Sequence, residues 1–96
     1  MDVVALEMQL HLPQCHSLKE KRAVIKPILE GARRRYQVAA AEVAYQDKWQ
    51  RSALGFSAVS GDGSGHAAVV LDRVERFVWS FPEIEVLDSG RRWIDA

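Results

Sequence analysis

Cysteine, proline and net charge are scarce in this chain: one Cys, three Pro and a formal charge of zero over 96 residues. Each scarcity removes a class of protein. Cys15 has no second cysteine to pair with, so a disulfide scaffold is excluded and a reducing cytoplasm is the simplest setting. No apolar run approaches the roughly 18 residues of a membrane span. Met1-Asp2 opens neither a basic nor an apolar leader. The expectation is a cytoplasmic protein without a membrane partner. The glycines of residues 61–65 lack the Lys-Ser/Thr that completes a phosphate-cradling loop. His11, Cys15 and His16 are irregularly spaced and have no evident fourth ligand, so they read as surface residues around Pro13. No metal and no cofactor is expected.

What is present is ordinary in amount and uneven in place. Hydrophobic residues make up 48% and charged residues 27%, enough for one modest core in a single domain spanning 1–96. Residues 19–35 hold seven basic residues against two acidic ones, a net +5, and the remainder balances this with −5. A neutral chain can therefore present a basic face.

Period and punctuation give six elements. Over 3–12, Val4, Leu6, Met8, Leu10 and Leu12 alternate with Val3, Ala5, Glu7, Gln9 and His11, the pattern of a half-buried strand. Ser17-Leu18-Lys19-Glu20 is a capping box. Leu18, Ile25, Ile28, Leu29 and Ala32 then recur at helical spacing. Pro27 should kink this helix near 23–27 without ending it, because the apolar stripe continues. Strands are expected over 36–45 and 52–60. A second helix follows, capped by Asp62 or Ser64 and with Ala67, Val70, Leu71, Val74, Phe77 and Val78 buried. A last strand starts at Glu83–Leu87, with 90–94 as its continuation or a tail.

The order β-α-β-β-α-β packs most economically as an α+β, ferredoxin-like sandwich: one antiparallel sheet with both helices on one face. The other face is then open. Its expected residues, among them Ala39, Ala41, Val43, Gly55 and Ser57, are mostly small and apolar, where a solvated face would be more polar. That suits close packing on a flat surface, a homodimer included.

Residues 41–53 join the second and third strands without Gly or Pro, although a plain hairpin needs only two to five turn residues. Two readings of Glu42, Gln46, Asp47, Lys48, Trp49, Gln50 and Arg51 stand side by side. In one they form a recognition surface: Lys48 and Arg51 meet phosphates, Trp49 stacks on a base, and the glutamines hydrogen-bond. In the other, local bonds hold the hairpin, Trp49 covers the core edge, and Asp47 or Glu42 pairs with Arg51. A mixed reading keeps Trp49 structural and the charges functional. Glu42 and Asp47 could also act as paired carboxylates. Nothing in the sequence supplies a nucleophile or a perturbed environment for them, so the expectation leans away from an enzyme.

Ser17-Leu18-Lys19-Glu20-Lys21-Arg22, the Ala41-Glu42-Val43…Gln46-Asp47…Trp49-Gln50-Arg51…Ala53 stretch and Leu54-Gly55-Phe56 together resemble the YlxP-like family. These are short bacterial proteins of unknown function, and the resemblance covers roughly residues 2–88. It implies a ferredoxin-like fold. It also implies, by gene association with a translation initiation factor and a small-subunit ribosome-binding factor, a ribosome- or RNA-linked role. It brings no catalytic residues. The chain departs from the family's pattern at Pro27.

The basic first helix fits that role. Arg33, Arg34 and Arg35 have a structural reason to sit in its last turn, where they meet the helix dipole; Lys19, Lys21 and Arg22 in its first turn do not. The expected function is a ribosome- or RNA-associated accessory factor acting through Lys19, Lys21, Arg22, Lys48 and Arg51. The alternative is a homodimeric interaction module using the open sheet face.

Overall fold

The computed structural model describes residues 1–61 and 65–95. The elements are β1 (Asp2–His11), α1 (Leu18–Tyr36), β2 (Ala39–Ala44), β3 (Arg51–Ser60), α2 (His66–Trp79) and β4 (Glu85–Asp95). The strands form one antiparallel sheet in the order β2-β3-β1-β4. This is the ferredoxin-like α+β fold expected from the element order.

Alternation in β1 determines which face is covered. Val4, Leu6, Met8 and Leu10 are fully buried and meet Leu54 and Phe56 of β3. Ile25, Ile28 and Ala32 of α1 and Ala67, Leu71, Val74 and Val78 of α2 close over them. Each fully buried Leu, Ile or Val contributes about 1.5–3 kcal/mol, so this shared core is the main stabilising term.

The local signals of α1 hold with small differences. Ser17 Oγ accepts from Glu20 N at 3.1 Å, while the Glu20 carboxylate accepts from His16 N at 2.8 Å, one residue before the cap. The helix runs unbroken through Pro27. Pro27 and Ala23 are both exposed, so the Ala23 carbonyl, which loses its helical donor to the proline ring, lies on the solvent side. Gln37, at φ 56°, closes the helix by donating its N–H to Arg33 O at 3.0 Å. Tyr36 therefore belongs to the last turn of α1 and not to the second strand, and it packs edge-on against Phe77.

Two other boundaries differ from expectation. Gly65 stands at the N-cap of α2 with no side-chain bond, and the expected caps Asp62 and Ser64 lie outside the described residues. Residues 90–94 are strand, not tail. β4 pairs with β1 along its length, with a bulge at Leu87. Arg91 fastens it to α2 through Asp72 at 2.7 Å, Glu75 at 3.0 Å and the Ala68 carbonyl at 3.3 Å.

The helices meet where Gly31 faces Phe77. A Cβ on Gly31 would lie 2.6 Å from Phe77 Cζ. The glycine that weakens α1 as a helix is what lets α2 approach it.

Candidate functional site

The β2–β3 connection is organised by a lysine from α1. Lys21 continues the buried spacing 21-25-28-32 and is 1% exposed. Its ammonium donates to the carbonyls of Tyr45 at 2.7 Å, Gln46 at 3.3 Å and Arg51 at 3.3 Å. It also lies 2.9 Å from Glu42 Oε2. Glu42 occupies the inward phase of β2, and the same oxygen accepts from Ser52 Oγ at 2.7 Å. A buried ammonium needs its charge balanced and its protons placed, and this cluster does both. Lys21 is thus no anion-binding residue: helical phase points it inward, and its donors are consumed.

The same cluster accounts for the odd backbone of the turn. Tyr45 sits at φ 63°, a region L side chains seldom adopt. Its carbonyl accepts from both Lys21 Nζ and Lys48 N. Its ring lies under the Arg51 guanidinium at 4.6 Å. Arg51 also donates to Gln9 Oε1 at 3.3 Å. Arg51 is half-buried and oriented by Tyr45 and Gln9, with no carboxylate partner among the described residues and its Nε buried without a hydrogen bond. Gln50 donates to the carbonyls of Pro13 and Cys15 at 3.3 and 3.2 Å, tying the connection to the β1–α1 turn.

The structure therefore divides the hairpin differently from either simple reading. Glu42, Gln50 and Arg51 are structural, and Glu42 pairs with Lys21, not with Arg51. Gln46, Asp47, Lys48 and Trp49 are exposed, with Trp49 at 53%. Trp49 does not cover the core edge. Glu42 and Asp47 do not line the trough described below, and Glu42 Oε2 is taken up by Lys21 and Ser52. The clue to the cluster was in the sequence: a lysine in the inward stripe of α1 and an acid in the inward phase of β2.

Other basic residues remain free on α1. Lys19, Arg22 and Arg34 are exposed and make no ion pair among the described residues. Lys26 reaches Glu30 only at 3.9 Å, and Arg33 donates to the Ala40 carbonyl beside it. Spacings of three, four and seven put Lys19, Arg22, Lys26 and Arg33 along one side of the helix, with Arg33 reaching β2 and Lys26 bordering the groove toward Phe77.

The uncovered sheet face forms a shallow trough of about 590 Å³. Ala39, Ala41, Val43, Gly55 and Ser57 all line it, as their phase predicted, with Ala5 and Glu7 of β1 and Asp88 and Arg92 of β4. Gly55 keeps the floor low: a Cβ there would lie 2.8 Å from Val43 Cγ1. Glu7 accepts from Gln9 Nε2 at 2.7 Å, so Arg51, Gln9 and Glu7 form a bonded row across the face.

Cys15 is buried beside the cluster. Burial, then the Glu20 charge, push its thiol above the ordinary 9.0, with Lys21 opposing. His16 is exposed, and His11 Nδ1 lies 3.2 Å from Glu85. No group of three or more His, Cys, Asp or Glu is placed to hold a metal ion among the described residues. No helix among them is long and apolar enough to cross a membrane.

Comparison with known proteins agrees with the motifs. The family described as "Protein of unknown function (DUF503)" matches residues 3–91. "Uncharacterized protein YlxP" of Bacillus subtilis (strain 168) is 44% identical over 77 residues, covering 80% of this chain and 83% of that protein. Among solved structures, "De novo designed protein Foldit4" superposes with a TM-score of 0.56 at 15% identity, over 100% of this chain and 99% of that one. That likeness speaks to the fold alone. The sequence matches span nearly the whole chain and carry both of its ordered motifs, so the chain belongs to the DUF503 family, the YlxP-like proteins of unknown function.

Proposed function

We propose that the protein is a cytoplasmic accessory factor that docks on structured RNA of a ribosomal particle through the outer side of α1 and the tip of the β2–β3 connection. One observation carries this reading: Lys19, Arg22, Lys26 and Arg33 line one side of α1, exposed and largely unneutralised. At 1.5 Å per residue they cover about 21 Å, long enough to follow a run of phosphates. The neighbouring carboxylates do not cancel them. Glu20 forms no ion pair among the described residues, and Glu30 approaches only Lys26, at 3.9 Å. Lys21 holds the connection against the start of α1, which brings Lys48 and Trp49 to the same end as Lys19 and Arg22. Lys48 adds a charge there, and Trp49 adds a ring that stacks on an unpaired base.

Phosphate contacts position and base contacts specify. The stripe supplies the first and the connection supplies the second. The test is co-sedimentation with ribosomal subunits across a salt series, with total RNA as competitor. The expected result is binding to one subunit that weakens steeply with salt and is lost in the Lys19→Glu/Arg22→Glu double variant. Salt-insensitive binding, or binding unchanged in that variant, would overturn the reading.

A further inference from the structure

We propose that the open face of the sheet docks a second copy of this chain, with Arg92 of each copy set against Glu7 and Asp88 of the other. The helices cover one face of the sheet, and nothing within the described chain covers the other. Its floor is low, and Val43, Val59 and Ile94 stand out of it with about half or more of their surface exposed. Val59, Val3 and Ile94 form one cross-strand row, an apolar border at one end of the trough.

The charges on this face specify the occupant. Glu7 pairs in register with Gly55 on one side and Gly90 on the other, so no side chain stands directly opposite it, and Arg92 is its diagonal neighbour. Gln9 holds its carboxylate in place at 2.7 Å, and no cation meets it among the described residues. Arg92 lies one inward-outward repeat further along β4, opposite Ala5, and also has no ion-pair partner among them. An acidic partner would leave Glu7 and Asp88 opposed to like charge. A basic partner would do the same to Arg92. A twofold-related copy presents both signs at once, which is the self-complementarity an isologous interface requires.

The area of the whole face reaches the lower end of what a stable dimer buries. Four strands about 4.8 Å apart, at ~3.3 Å per residue, cover roughly 600 Å² in projection, so two full faces would bury about 1,200 Å², the lower end of stable interfaces. The α1 stripe lies on the helix layer, behind the sheet. Dimerisation and RNA docking therefore use separate surfaces, and either can fail without the other.

Sedimentation equilibrium at micromolar concentration tests the proposal. The expected result is a dimer, with Arg92→Glu and Glu7→Arg each raising its dissociation constant at least about tenfold. An equimolar mixture of the two variants should restore a heterodimer, because the charges are exchanged and not lost. Both positions are exposed, so circular dichroism should show the fold intact; Ala41→Arg, which blocks the floor without touching the pair, serves as a second disrupting variant. A monomer at all concentrations, a dimer that survives Arg92→Glu, or a mixture that fails to reassociate would each overturn it.

Discussion

Lys21 and Glu42 meet at 2.9 Å beneath the β2–β3 connection, with the lysine 1% exposed and the carboxylate only slightly more open. Removing one charge strands the other, along with three carbonyls that lose their donor. Lys21→Met should cost about 3 kcal/mol of stability. Lys21→Met with Glu42→Gln should cost clearly less than the sum of the single changes, because no uncompensated charge remains. Urea denaturation of the four proteins measures this coupling. Additive effects would mean that the pair contributes nothing as a pair.

Trp49 separates recognition from support. An exposed tryptophan that covers no core should be removable at a stability cost within about 0.5 kcal/mol. If it stacks on a base, Trp49→Ala should weaken RNA binding by about 1–3 kcal/mol while leaving the salt slope unchanged. Lys48→Ala should lower that slope by about 0.7–0.9. A large loss of stability in Trp49→Ala would return the residue to a structural role.

Gly31→Ala should destabilise the protein by about 1–3 kcal/mol, although alanine is the better helix former. The new methyl meets Phe77 at 2.6 Å. That ring is held edge-on by Tyr36 and Phe81 and covered by Arg35, so it has little room to give. Thermal unfolding checks this, and pairing the change with Phe77→Leu should recover part of the loss. Stabilisation by Gly31→Ala alone would show that the helices can move apart at no cost.

Cys15 predicts a pH dependence. Its folded pKa is raised by burial, so the folded state holds its proton more tightly than the unfolded chain. The sign follows from linkage: stability is intact below the ordinary thiol value of 9.0 and falls as pH rises above it. Cys15→Ala should remove that alkaline decline, and the native thiol should react with alkylating reagents far more slowly than the unfolded one. An identical alkaline decline in Cys15→Ala would exclude the thiol as its source.

Most of the fold was legible because its signals are local. The alternation in β1, the Ser17–Glu20 cap and the stripe at 25, 28 and 32 each depend on residues within a few positions of one another. The boundary at Tyr36 was missed because α1 ends on a left-handed Gln37, and glutamine carries no such signal as glycine does. The site was less legible. The open-face residues followed from period two alone. Lys21 and Arg51 look unattached in sequence because what pairs the first and orients the second lies far away along the chain. Lys21 bonds residues 24, 25 and 30 positions on, and Arg51 bonds Gln9 from 42 positions away. Charge counts cannot show which cations are already paired; inward phase, read on both partners, shows it for Lys21 and Glu42, whereas Arg51 and Gln9 meet on the open face.

The reach of Lys21 also orders events in time. A hairpin usually forms from its own strands and turn within microseconds. Here the carbonyls of Tyr45, Gln46 and Arg51 lack the Lys21 ammonium until α1 docks, although Lys48 N already donates to Tyr45. The connection should therefore acquire protection from amide exchange together with the α1–sheet interface and not ahead of it. On that expectation the connection becomes native late, and Lys48 and Trp49 take up their exposed positions only once α1 has docked.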